Sequence, residues 1–221
     1  MTSTSLSASS NKIRVLLVDD HAVVRAGYRM LLQNTDDIEV VSEAESGEQA
    51  CKHYVDKSPD VVVMDLSMPG IGGLEAIRRI VARDADARIL VFSMHESTIF
   101  VEQALQAGAC GYITKSSAPE VLIDAIRELA AGKSHIDSEI AQQLAFKKTK
   151  GQDTPFSDLS TREFEIFCLL AEGLNTIEIS KRLSLSYKTV ANYSTQIKSK
   201  LGVSTVAEIA RMAIRYKIVE A

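Results

Sequence analysis

The sequence predicts a doubly wound α/β domain on a five-stranded parallel sheet, followed by a second, smaller all-α domain. Three observations carry this. From Ile13 to Ala131 short β-branched apolar runs alternate with longer amphipathic segments; after Gly132 the alternation stops; and from Ser160 onward only helical periodicity remains. Continuous apolar runs suit strands covered on both faces, hence a parallel sheet, and repeated β-α units imply double winding. The 221 residues, 46% of them hydrophobic, can bury real cores, and their number favours two domains over one.

Taken in order, Ile13 to Val18, Ile38 to Ser42, Val61 to Met64, Ile89 to Phe92 and Gly111 to Ile113 read as strands. Val24, Tyr28, Leu31 and Leu32, and later Leu122, Ala125, Ile126 and Leu129, have the spacing of one apolar helix face. A short helix is expected from Asp137 to Phe146, and KKTKGQDTP (Lys147 to Pro155), polar and punctuated by Gly and Pro, is the linker. The division is therefore 12–132 for the first domain, 133–155 for the linker and 156–221 for the second domain.

The second domain reads as four short helices. Ser160 with Glu163 matches a capping box at the first, the Gly173 to Asn175 turn precedes the second, and Ser186 caps the third. In that third helix Val190, Tyr193, Ile197 and Leu201 form an inward stripe. Lys188, Asn192, Thr195 and Ser199 then fall on the opposite, polar face, which is either simply solvated or able to reach base edges in a major groove.

Composition excludes several classes. No apolar run reaches membrane-spanning length, and Met1 to Asn11 is Ser/Thr-rich with neither a basic stretch nor an apolar core, so a cytoplasmic protein with no membrane role is expected. Cys51, Cys110 and Cys168 are odd in number and far apart in apolar sequence, the pattern of small buried hydrophobes rather than of disulfides or a zinc site. Charge is uneven: residues 1–146 hold 13 basic and 21 acidic residues, net −8, whereas residues 155–221 hold 9 and 7, net +2. The second part alone is not repelled by phosphates.

In open α/β sheets ligands bind beyond the carboxyl ends of the strands. Asp19 and Asp20 follow the first strand, Asp65 the third, Ser93 the fourth and Lys115 the fifth. A hydrophobic core has no use for three acids, a hydroxyl and a lysine there. Carboxylates sharing one crevice repel unless a cation neutralises them, and a small set of hard oxygens suits Mg²⁺. A carboxylate is also a nucleophile towards phosphorus. His21 and His95 read as rim residues, since Mg²⁺ prefers oxygen.

The blocks RVLLVDDH, VVVMDLSMPGIGG, VFSMHE and GACGYITK resemble those of response-regulator receiver domains with a flavodoxin-like fold. The resemblance implies that Asp65 accepts phosphate from a sensor histidine kinase. It further implies that Asp19, Asp20, Asp65 and the Ser67 backbone carbonyl hold Mg²⁺, that Ser93 and Lys115 contact the phosphoryl oxygens, and that Tyr112 is an aromatic switch. Ser116 departs from the family, where proline often follows the lysine.

LSTREFEIFCLLAEGLNTIEISKRLSLSYKTVANYSTQIKSKLGV resembles the LuxR-type helix-turn-helix of the NarL/FixJ class, and with EIAQQLAFK and PFSDLS it is most similar to the GacA/UvrY branch. Ala191 and Tyr193 depart from the lysine and histidine common there. The implied DNA contacts are Lys188, Thr189, Ala191, Asn192, Thr195, Gln196 and Lys198, with a homodimer on double-stranded DNA when phosphorylated. The reading is a phosphorylation-controlled transcription regulator, not an enzyme. A small-molecule phosphohydrolase would share the Asp, Mg²⁺ and Lys but leaves the helical module without a task; a third reading makes that module a protein-docking domain.

Overall fold

In the computed structural model, which describes residues 12–149 and 154–219, the five apolar runs are strands of a single parallel sheet. They are β1 (Ile13–Val18), β2 (Ile38–Ala44), β3 (Val61–Met64), β4 (Ile89–Ser93) and β5 (Gly111–Thr114). A sixth strand of two residues, β6 (His135–Ile136), pairs parallel with β5. The expected five strands are thus the main ones and the sheet has six, in the order β2-β1-β3-β4-β5-β6. A strand of two residues is too short to leave a periodic signal in the sequence.

Four helices connect the main strands, α1 (Ala22–Gln33), α2 (Gly47–Lys57), α3 (Gly72–Arg83) and α4 (Thr98–Ala107), and α5 (Pro119–Ala130) leads from β5 to β6. Alternate strand residues point to opposite faces. On one face Val15, Leu17, Val63, Leu90 and Ile113 pack with Leu122, Ala125, Ile126 and Leu129 of α5. On the other, Leu16, Val62, Met64 and Val91 join Ala76, Ile77 and Ile80 of α3 and Val101 and Ala104 of α4. β3, β4 and β5 are buried along their whole length, as unbroken apolar runs require, while β2 at the sheet edge is only partly buried.

After β6 comes α6 (Ser138–Thr149), starting one residue later and ending three residues later than expected. Of the expected linker Lys147–Pro155, residues 150–153 lie outside the described residues, as do Met1 to Asn11. The second domain holds α7 (Thr161–Ala171), α8 (Thr176–Arg182), α9 (Tyr187–Leu201) and α10 (Val206–Arg215). Its apolar centre is Phe156, Phe164, Phe167, Val190, Ile197, Ile209 and Ala213, all fully buried. The apolar face of α10 is spent on α7 through Ile209 and Ala213, which leaves Val206 and Ile214 as its exposed large apolar residues.

Caps set the helix starts. Ser160 Oγ accepts Glu163 N at 3.3 Å while Glu163 Oε2 accepts Ser160 N at 2.7 Å, closing the expected capping box. The same reciprocal box occurs at Asn175 with Glu178 and at Thr205 with Glu208, and Ser186 caps α9 through Thr189 N. Glu163 also takes Lys200 Nζ of α9 at 2.6 Å, so this box ties two helices. Ser160→Ala is expected to lower output-domain stability by about 1 kcal/mol, read as a shifted urea midpoint with unchanged slope.

The domains meet along α7, which packs against α3 and α4. Phe100 of α4 meets Phe164 edge-on at a centroid separation of 5.2 Å, and Gln103 Nε2 donates to Phe156 O at 3.3 Å. The seam thus combines an aromatic contact with a hydrogen bond to a backbone carbonyl. A cleft of about 100 Å³ opens along it between Leu66, Met68, His95 and Phe100 on one side and Phe164 and Leu169 on the other.

Candidate functional site

Strand order reverses between β1 and β3, so a crevice forms at their carboxyl ends. There the sheet assembles the residues singled out from the sequence. Asp19 and Asp65 are each only 3% exposed, Ser93 is fully buried, and Lys115 reaches in from the end of β5. Lys115 Nζ donates at 2.7 Å to both Asp19 Oδ2 and Asp65 Oδ2. Asp65 Oδ1 accepts Leu66 N at 2.7 Å and Ser67 N at 3.4 Å, which aims the carboxyl along the loop. Gly73 makes room for this arrangement: a Cβ there would collide with the Asp65 carbonyl oxygen.

Burial pushes the Asp65 carboxyl up from its ordinary value; Lys115 opposes this and Asp19 adds to it. Burial pulls the Lys115 ammonium down, but its hydrogen bonds to Asp19 and Asp65 outweigh that, so its pKa is raised and the lysine stays charged.

Asp19, Asp20, His21 and Asp65 bring one ligand atom each within 4.8 Å of one another. Asp20 Oδ1 is buried and accepts no hydrogen bond, although His21 Nδ1 lies 2.9 Å away. An orphaned buried carboxylate oxygen beside two further carboxylates suits a hard cation. His21 is itself exposed, with its backbone N held by Asp19 Oδ1 at 2.7 Å.

The surrounding residues behave less predictably. His95, read from the sequence as rim, stacks on Phe100 at 3.8 Å and meets Ser67 Oγ through Nε2 at 2.8 Å. Burial, then the Lys115 charge, lowers its pKa to about 4, so the ring is neutral. Tyr112 is fully buried in β5 and its hydroxyl donates to His95 O at 2.7 Å. Ser116, in place of the proline common in the family, joins a hydroxyl network. Its Oγ lies 2.8 Å from Thr114 Oγ1 and donates to Glu96 Oε1 at 3.1 Å, and Ser117 Oγ donates to Asp137 Oδ2 at 2.9 Å.

In the helical domain the inward stripe of α9 holds: Val190 and Ile197 are fully buried, and Tyr193 and Leu201 half-buried. Lys188, Asn192, Thr195 and Gln196 are exposed, while Thr189, Ala191 and Lys198 are half-buried. Thr195 Oγ1 donates back to Ala191 O at 3.1 Å. The seam runs along α7, so the outer face of α9 stays open to solvent. The three cysteines are free and half-buried, as small hydrophobes would be.

Fold and site define a class: a doubly wound receiver domain joined to a helix-turn-helix output. Residues 15–127 match the response regulator receiver domain family, and residues 157–213 match the bacterial regulatory proteins of the luxR family. The chain is 43% identical over 211 residues to the response regulator UvrY of Escherichia coli (strain K12), covering 95% of this chain and 97% of that protein. It is 41% identical to the response regulator GacA of Pseudomonas aeruginosa, covering 95% and 99%. A solved structure of RcsB from Salmonella enterica serovar Typhimurium, bound to promoter P1flhDC with the phosphomimetic BeF3−, superposes with a TM-score of 0.70 at 28% identity, covering 95% and 100%. The chain belongs to the two-component response regulators with a receiver and a LuxR-type DNA-binding domain, which regulate transcription under the control of phosphorylation.

Proposed function

We propose that Asp65 takes a phosphoryl group from a sensor histidine kinase in the cytoplasm, and that the modified chain pairs as a homodimer on double-stranded DNA. The observation that carries this is the buried Asp65 carboxyl at the end of β3, held 2.7 Å from Lys115 Nζ. An Asp65 oxygen attacks phosphorus, an O–P bond forms, the P–N bond of a phosphohistidine breaks, and its electron pair returns to the imidazole. Asp19, Asp20, Asp65 and the Ser67 carbonyl would hold Mg²⁺, which would supply positive charge to offset that on the phosphoryl oxygens. Ser93 and Lys115 contact the phosphoryl oxygens, and the protein turns over nothing beyond this transfer and the slow hydrolysis of its own acyl phosphate.

Tyr112 is the switch residue in this reading, supported by its hydroxyl bond to the carbonyl of His95 on the β4–α4 connection. A phosphoryl group adds about 1.5–2 negative charges and three acceptor oxygens beside Lys115 and Ser93, enough to bias a two-state loop. A cytoplasmic site of action is consistent with the absence, among the described residues, of any helix long and apolar enough to cross a membrane.

DNA is read by α9, with Lys188, Thr189, Ala191, Asn192, Thr195, Gln196 and Lys198 towards the groove. Lys188→Ala should weaken binding to all sequences and lower the salt slope by about one unit. Asn192→Ala should cost about 1–3 kcal/mol and change base preference. DNA titrations at several salt concentrations, with and without a small phosphodonor, test the reading; if both variants bind as the wild type does, α9 is not the contact.

A further inference from the structure

We propose that Arg162 and Glu165 of α7, seated against Gly72, form a latch that positions the phosphoacceptor loop, so that output-domain docking and Asp65 phosphorylation oppose one another. The inference rests on the reading of Asp65 above and adds the residues through which the two domains act on each other.

The loop that leaves Asp65 ends at Gly72, where α3 begins, and its far end is gripped from several sides. Glu48 Oε1 of α2 accepts Ile71 N at 3.1 Å. Gly70 N donates to Arg182 O, at the end of α8, at 3.0 Å. Arg162 Nη1 donates to Ile71 O at 3.4 Å, and Nη2 donates to Leu183 O at 3.2 Å. One guanidinium therefore joins the phosphoacceptor loop to the turn of the helix-turn-helix.

Gly72 explains how the latch closes. Its φ is +70°, and a Cβ there would collide with Glu165 Oε1. The missing side chain admits the carboxylate, which also pairs with Arg162. Phosphorylation alters the hydrogen bonding at the start of this loop, and a loop fixed at its far end resists that change. Coupling between two equilibria is reciprocal, so whatever docking costs phosphorylation, phosphorylation costs docking.

The seat also makes docking sensitive to protons. Facing Glu165 are Arg162, Cys168 and Glu172 from its own helix, Glu75 from α3 with its partners Arg78 and Arg79, Arg182 from α8, and the neutral His95 across the cleft. Burial pushes the Glu165 carboxyl up to about 7; Arg162 and Arg182 oppose this and Glu75 adds to it. Undocking returns the group to the ordinary range. A carboxyl raised in the docked state favours docking at low pH and loses that contribution as pH climbs through the raised value. Between pH 6 and pH 8 the docking constant should fall about tenfold.

Amide exchange of Gly70 in the full chain, followed by NMR at pH 6, 7 and 8 and corrected for intrinsic rates, reads docking directly. Wild-type protection should fall about tenfold over that range. Arg162→Ala should lose protection at every pH, and Glu165→Gln, which keeps the shape without the charge, should hold the pH 6 level at pH 8. Labelling of Asp65 by acetyl phosphate with Mg²⁺ should be faster in Arg162→Ala and, at pH 8, slower in Glu165→Gln than in the wild type. Gly70 protection that ignores pH and both substitutions overturns the latch, as do unchanged labelling rates in a wild type that labels. A wild type that does not label overturns the Asp65 reading instead, and the exchange data then judge the latch alone.

Discussion

Asp65→Asn is expected to abolish Mg²⁺-dependent labelling by a small phosphodonor while leaving the fold intact. The amide is nearly the shape of the carboxyl, and its oxygen can keep the bonds from Leu66 N and Ser67 N that aim the side chain. What it lacks is the anionic oxygen that attacks phosphorus. Phosphate transfer measured by intact-protein mass should therefore drop to background, with the circular dichroism spectrum and urea midpoint close to wild type. Undiminished labelling would remove the central claim about this site.

Lys115→Met should be the most destabilising substitution at the site. The lysine side chain is 8% exposed, and both its carboxylate partners are 4% exposed. Taking away one side of a buried ion pair leaves the remaining charge without water or counter-ion, a loss of about 3–5 kcal/mol. Here two carboxylates would be left facing each other. The same argument makes Mg²⁺ a partial remedy, because a divalent cation can replace the missing ammonium, and ligand binding to the folded state raises its stability by mass action. Urea melts with and without millimolar Mg²⁺ should show a larger metal-dependent gain in the variant than in the wild type. Equal gains would mean that Lys115 and the metal do not compete for the same oxygens.

Strand ends and helix caps were legible because their signals are local. Asp19, Asp20, Asp65, Ser93 and Lys115 each follow or finish an apolar run, and a parallel sheet carries all such positions to one edge. Ser160 with Glu163 could be read three residues apart, as could Ser186 at the start of α9. The boxes at Asn175 and Thr205 carry the same three-residue signature. His95 lies outside the metal-binding cluster, as a rim residue would, but nothing in VFSMHE says that Phe100, further along the chain, will stack on its ring.

Apolar periodicity and strand-end chemistry thus specified the two domains, their order, the carboxylate crevice and the polar face of α9, since each follows from the positions of near neighbours in the chain. The seam between the domains has no such trace. Arg162 bonds a carbonyl 91 positions away, and Gln103 bonds one 53 positions away. Glu165 reads in sequence as an ordinary helix glutamate until Gly72 is seen to leave room for it. Which face of α7 meets the receiver depends on packing many weak contacts at once, and a buried carboxyl acquires its raised pKa only when that packing removes its water.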